Sequence, residues 1–234
     1  MVKQLLFRLA KSKWMGKAVG SAFRFCPWAI PGKKLYCSER VLVMEHPCPA
    51  YPNHVILSPR KPIADLTELA QEKHAVYGAE LWKAVAYLAT HHEAYRNGFT
   101  LVANGGRRQE VGQVHFHLFT GQELVSETVQ ELQESEEYSN RFIHVYRPSS
   151  PAYDLHLILQ PNIQSLGSEQ TTPSLDLLAA ALQLLPKLAG AYPLEENGYS
   201  LICQHRPGDD LQHPTFHLIF GTRKSTAEPI LCYS

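Results

Sequence analysis

Apolar and polar positions alternate along several short runs of this chain, most clearly from Val111 to Phe119. There Gln113, His115, His117 and Phe119 fall on one side of an extended segment, and Val114, Phe116 and Leu118 fall on the other, the period of a strand with one buried face. Strand-like runs also cover Arg40 to Met44, His54 to Ser58 and Phe99 to Ala103, and a proline-rich turn from His46 to Pro52 separates the first two. Asp65 to about Tyr95 reads as helical, and Asn97-Gly98 opens a turn into the last two strands. The order is β-β-α-β-β.

The pattern then recurs. Asn97 to Gly121 and Asn197 to Gly221 align without a gap at an offset of 100, with seven identities in register. Upstream, Ala50-Tyr51 and His54-Val-Ile-Leu-Ser-Pro59 match Ala152-Tyr153 and His156-Leu-Ile-Leu-Gln-Pro161 at an offset of 102. A period this long, in two copies, predicts a duplicated unit and not a solenoid. The second helical stretch runs from about Pro173, a first-turn proline, to about Leu188, with Pro186 expected to kink or end it. Gln130 to Asn140, rich in glutamate, reads as a solvated linker or an exposed helix. The expected organisation is a basic arm (1–25), a first unit (26–129), a linker (130–140) and a second unit (141–234).

Composition narrows the class. The chain has no net formal charge, so nothing in bulk points to nucleic acid as a partner. No run of about eighteen apolar residues predicts a membrane-spanning helix. Cys26, Cys37, Cys48, Cys203 and Cys232 are odd in number and scattered, without zinc-knuckle spacing or a disulfide framework, and a cytoplasmic location is expected. No acidic residue precedes Glu39, while Lys3, Arg8, Lys11, Lys13 and Lys17 are mixed with Leu5, Leu6, Phe7, Leu9 and Trp14. Such an arm can pack on the body, touch an anionic membrane surface through residues 1–25, or serve as a transit segment. Its apolar residues make no clean stripe, and all three readings stay open.

The chemistry centres on His115 and His117. Two imidazoles and an amide in one row sit about 7 Å apart by strand rise, a spacing suited to successive oxygens of a phosphate chain. Taken alone, H-x-H is short, and paired strand histidines are also common as surface or cross-strand residues. A metal site on these two lacks a nearby cysteine or second histidine pair to complete it, and no metal or cofactor is expected.

The neighbouring segments change the weighting. Pro31-Gly-Lys-Lys-Leu-Tyr36, Val41-Leu-Val-Met44, the proline turn, His54 to Lys61 and Gln109 to Phe119 occur in order. Together they resemble the histidine triad (HIT) superfamily over about residues 26 to 121, with a fainter copy from about 140 to 221. The resemblance implies an α+β, HIT-like fold: two tandem β-β-α-β-β units forming an intramolecular pseudo-dimer around a joined antiparallel sheet. It implies that His115 is a nucleophile attacking the α-phosphorus of a nucleotide, giving a nucleotidyl-histidine that water or another acceptor resolves. It further implies that His117 contacts phosphate oxygens, that Gln109 helps hold them, and that His54 supports the triad from the adjacent strand. Asn104-Gly105-Gly106 could aim backbone N–H groups at phosphates. Arg107 and Arg108 could add charge-assisted contacts or simply face solvent.

Departures from the family pattern bear on specificity. Gln113 stands for the first histidine of the triad. Glu110 stands for a hydroxyl residue at the leaving group, and could serve as a protonated acid. His46 stands for the acid that grips the ribose, with Glu45 beside it as a substitute. In the second unit the aligned residues are His213, Thr215 and His217, so the nucleophile position holds a threonine; His156 and His205 read as structural residues or relics. The expected function is a nucleotide-phosphate hydrolase or nucleotidyltransferase with a nucleotide conjugate as partner, and a further homodimer is open. The alternative is a catalytically impaired nucleotide-binding or scaffold protein of the same fold.

Overall fold

The computed structural model describes residues 32–121, 136–140, 142–148, 153–162 and 173–223. The expected basic arm and the first part of the expected linker lie outside the described residues. Among those residues ten strands form one antiparallel sheet. The first half contributes β1 (Lys34–Cys37), β2 (Val41–Glu45), β3 (Val55–Pro59), β4 (Phe99–Gly105) and β5 (Phe116–Phe119). The second contributes β6 (Glu136–Ser139), β7 (Ile143–Tyr146), β8 (Tyr153–Pro161), β9 (Tyr199–His205) and β10 (Phe216–Arg223). The order β1-β2-β3-β5-β4-β9-β10-β8-β7-β6 reads the same way outward from the β4–β9 seam. Val102 pairs with Ile202, its own counterpart at the offset of 100, so an approximate twofold axis passes between them.

Each half keeps the expected plan with one more strand at its start. β1 and β6 lie at the two edges of the sheet, half-exposed or polar, and their sequences carry no alternation strong enough to announce them. Glu136–Ser139 falls inside the stretch read as a linker.

The expected helix from Asp65 to Tyr95 is broken into α1 (Leu66–Leu69), a 3-10 turn at Glu72–His74, α2 (Ala75–His91) and α3 (Glu93–Arg96). Asp65 caps α1, its carboxylate accepting the Glu68 N–H at 2.7 Å. In the second half α4 (Pro173–Gln183) and α5 (Leu185–Ala191) are separated at Leu184, with Pro186 in the first turn of α5, and α6 (Leu194–Asn197) follows. That is where a proline must sit, since it has no N–H for an interior helical bond. Among the described residues no helix is long and apolar enough to cross a membrane.

The alternation read from sequence sorts the two faces. Val43, Leu57, Leu101, Phe116 and Leu118 share one apolar cluster with residues of α1, α2 and α4, and with Leu157, Leu201, Phe216 and Leu218 of the second half. Here α2 meets α4 so closely that a Cβ on Gly78 would lie 3.6 Å from Ala179. Trp82 of α2 is buried and sets its ring edge-on to Phe216 of β10 at 5.6 Å. One core therefore serves both halves. Trp82→Ala should cost roughly 3–5 kcal/mol, read as a lower urea midpoint in a single transition; separate transitions for the halves would contradict a shared core.

Candidate active site

The opposite face of the sheet carries the polar residues. Ile56 pairs with His117, and Val102 pairs with His117 from the other side, so His54, His117 and Phe119 project on the helix-free face. Met44 packs there with Ile56, which sends His46 to the same face and Glu45 to the other. Glu45 is exposed and acts on Tyr95, in the helix-side core, whose pKa is raised by burial and then by the Glu45 charge. Strand alternation thus removes Glu45 as a substitute ribose ligand.

His46, His54 and His117 are all buried. His46 stacks on His54 with ring centroids 4.2 Å apart and planes 10° from parallel. Its Nδ1 accepts the Cys48 N–H at 3.1 Å. The position where the resemblance places a ribose ligand therefore holds a packed member of the histidine group. Sequence reading missed this grouping, because it depends on how the proline turn folds back on β3 and β5.

Backbone donors fix the tautomers. The Ala50 N–H points at His54 Nδ1 at 3.4 Å, so that nitrogen accepts and the ring proton sits on Nε2. His54 Nε2–H then donates to His117 Nδ1 at 3.0 Å, leaving the His117 proton on Nε2. Burial lowers the His54 pKa to about 3, helped by the nearby His46 and His115. The His117 pKa falls well below the ordinary value, through burial and then through His115, His54 and His46. His54 and His117 are therefore neutral near pH 7.

One ring nitrogen each from His46, His54 and His117 lie within 4.8 Å of one another, a metal-like spacing. Ligand lone pairs must converge in the ring planes, however, and the near-parallel planes of His46 and His54 run side by side. The arrangement fits a hydrogen-bonded relay better than a cation site.

His115 is half-buried, with its ring edge-on to His117 at 4.9 Å. Its Nδ1 lies 2.8 Å from the Gln113 carbonyl. A carbonyl only accepts, so Nδ1 carries the proton and Nε2 carries the lone pair. Burial lowers the His115 pKa, opposed by the carbonyl bond and by Glu110, whose negative field favours the charged ring. That geometry presents a neutral imidazole nitrogen with a cation-stabilising group behind it.

Residues 111–115 are not strand: β5 begins at Phe116. The expected strand from Val111 is pulled off the ladder by bonds to the segment after β3. Gln113 is buried, and its amide donates to Ser58 Oγ and to the Pro59 and Lys61 carbonyls. Its Oε1 accepts the Ile63 N–H at 3.3 Å, and the Val114 N–H reaches the Ile63 carbonyl at 2.8 Å. Gln113 is an anchor whose carbonyl aims His115. Gln109 is likewise tied to backbone, donating to the Ala64 and Val111 carbonyls. Glu110 is half-buried and Arg107 exposed. Arg108 turns away to the second half, donating to Ser200 Oγ at 3.2 Å and to the Gly221 carbonyl at 2.6 Å. Asn104 Oδ1 accepts from that same Ser200 hydroxyl.

The second half repeats the buried pair and not the site. His156 Nε2 lies 3.0 Å from His217 Nδ1, matching His54 and His117. Its nucleophile position is Thr215. His213 bonds Asp210 at 2.6 Å in a surface loop, where Gln113 in the first half is a buried anchor. His205 stacks on Phe99.

The comparisons with known proteins divide along the same line. The HIT domain family matches residues 28–124. A HIT-like protein of Synechocystis is 37% identical over 89 residues, covering 38% of this chain and 75% of that protein. Two solved structures match both halves at the level of fold. A DUF4931 family protein from Bacillus cereus has a TM-score of 0.57 at 12% identity, covering 82% of this chain and 87% of that one. A uridylyltransferase mutant has a TM-score of 0.56 at 15% identity, covering 88% and 85%. With the family's sequence in the first half and a duplicated fold across both, this chain belongs to the histidine triad (HIT) family.

Proposed function

We propose that this protein cleaves or transfers at the α-phosphate of a nucleotide conjugate through a nucleotidyl-histidine intermediate on His115. The observation that supports it best is the 2.8 Å contact of His115 Nδ1 with the Gln113 carbonyl, an acceptor that holds the ring proton there and leaves the Nε2 lone pair as the nucleophile. Nε2 forms a bond to the α-phosphorus as the bond to the leaving group breaks, and the ring becomes cationic. The Gln113 carbonyl and the Glu110 carboxylate stabilise that charge. His117, held by the His54 bond with its proton on Nε2, is a donor suited to a phosphate oxygen. Water or another acceptor then attacks phosphorus from the opposite side, restoring neutral His115 and releasing the nucleotide.

A panel of adenosine phosphoramidate, diadenosine polyphosphates and nucleotide sugars tests the reading: turnover of at least one is expected. Because His115 and His117 are shifted down, kcat/KM should fall less between pH 7.5 and pH 6 than it would for an unshifted imidazole nucleophile. A free imidazole nucleophile would lose roughly three quarters of its activity over that interval. Failure of every substrate, or that loss, argues against it.

The second reading is binding without turnover, favoured by a buried His46 where a ribose ligand is expected and by the Glu110 charge near His115, which would repel a phosphate. Calorimetry with AMP and GMP separates the two: heat without turnover favours binding alone, and no heat counts against both.

A further inference from the structure

The half that lacks the nucleophile grips the loop that faces it. Ser200 of β9 pairs with Asn104 of β4 across the seam, and its buried hydroxyl is engaged on two sides. The Arg108 guanidinium, which can only donate, reaches Ser200 Oγ at 3.2 Å. The single Ser200 hydroxyl proton therefore goes to Asn104 Oδ1, 2.7 Å away. With Oδ1 held, both amide protons of Asn104 are turned away from Ser200.

The register says where Asn104 sits. Val102 pairs with His117 and Ala103 with Phe116, the last pair of the ladder, and Asn104 and His115 each lie one residue beyond it. Alternation puts Asn104 on the face of Val102 and His117. Asn104 thus lies on the sheet face of the histidine row, at the end of the ladder from which the segment carrying His115 departs.

Two glycines make the grip possible. A Cβ on Gly105 would overlap the ring of Tyr199, so this turn can lie flat on the second half only as glycine. Gly198, at φ +72°, leaves room where a Cβ would sit 2.7 Å from Arg108 Cγ. Arg108 is then pinned by the Gly221 carbonyl at 2.6 Å.

We propose that Ser200, oriented by Arg108, is a positioning residue of the second half that fixes the Asn104 side-chain amide as a phosphate donor beside His115. The proposal rests on the reading of His115 as nucleophile. It gives the degenerate half a defined role, because the seam sets one donor of the active half. A donor aimed at charge that develops in the transition state acts on kcat more than on KM.

The test compares wild type with Ser200→Ala, Ser200→Thr, Asn104→Ala and the double variant Ser200→Ala/Asn104→Ala, on adenosine phosphoramidate. Asn104→Ala should lower kcat by about 10²-fold, and Ser200→Ala by roughly tenfold with KM little changed. Ser200→Thr, which keeps the hydroxyl, should restore most of the rate. The double variant should match Asn104→Ala alone, since a positioning residue has nothing to position once the amide is gone. A Ser200→Ala enzyme as fast as wild type, or two losses that multiply, would overturn the proposal. A second measurement needs no turnover: 15N relaxation of the Asn104 side-chain amide should show an ordered group in wild type and a mobile one in Ser200→Ala. An amide equally ordered in both overturns the proposal by itself. If wild type turns over nothing, the nucleophile reading falls, and the amide measurement still decides this one.

Discussion

Replacing His115 by alanine is expected to lower nucleotidyl transfer by at least about four orders of magnitude, with nucleotide binding retained. The size of the effect follows from the absence of a substitute within the relay. His54 directs its proton at His117, and His117 Nδ1 accepts it, so neither ring offers a lone pair arranged like that of His115. Thr215, at the matching position of the second half, has no evident base among the described residues, and a neutral hydroxyl is a weak nucleophile. Alanine leaves the Gln113 anchor intact, because that anchor works through the Gln113 side chain and the backbone of residues 58–63. Stability should therefore change little. An alanine variant within tenfold of wild type would remove His115 from the mechanism.

The second large effect concerns acid. His54 and His217 have pKa values lowered to about 3, and His156 to about 4, in each case chiefly by burial. In the unfolded chain each returns to about 6.5. Folded values below unfolded ones mean that the unfolded state takes up protons first as the pH falls. This part of the stability is therefore intact above about pH 6.5 and is lost progressively as the pH drops towards the folded values. Each buried imidazole contributes a slope approaching ~1.4 kcal/mol per pH unit. Two of them would remove roughly 4 kcal/mol by pH 5, a large fraction of the stability of a typical domain. The urea midpoint should fall steeply between about pH 6.5 and 5.

The His156–His217 pair allows a clean check, since it lies in the half without a nucleophile. Replacing both by leucine removes the two titrating groups together, without leaving one imidazole of the pair buried alone. The pH slope should flatten while the midpoint at pH 7.5 stays close to wild type. A slope as steep as before would mean that other groups carry the acid response.

Much of this arrangement is legible in the sequence, for physical reasons. Alternation fixes which face a strand residue occupies, so the pattern alone assigns Val114, Phe116 and Leu118 to the core and His117 to the other face. The offset of 100 between Val102 and Ile202 is the pairing across the twofold axis. What the sequence hides depends on contacts between distant segments. The edge strands β1 and β6 are held by pairing and not by an apolar pattern. The segment Val111–His115 keeps its alternation yet leaves the ladder, because the Gln113 amide finds partners after β3 that a period of two does not reveal. The stack of His46 on His54 follows from the fold of the proline turn. Arg108 looks like a phosphate ligand because it is basic and near a glycine turn, whereas its acceptors lie across the seam.

The family explains the fold more tightly than the substrate. The residues that differ from the family pattern lie next to His115 (Gln113 and Glu110) or in the histidine group beside it (His46), without replacing it. On the proposed reading they bear on what binds and what leaves, while the proton on Nδ1 bears on whether His115 can act as nucleophile.

The most direct measurement of the central claim is a rapid-quench trap. Wild-type protein would be mixed with a slowly cleaved AMP conjugate, quenched in base and digested, and its peptides mapped by mass. An acid-labile adenylyl group on His115 is predicted, appearing within the first turnover and absent from His115→Ala. Turnover without any adduct, or an adduct on another residue, would contradict it.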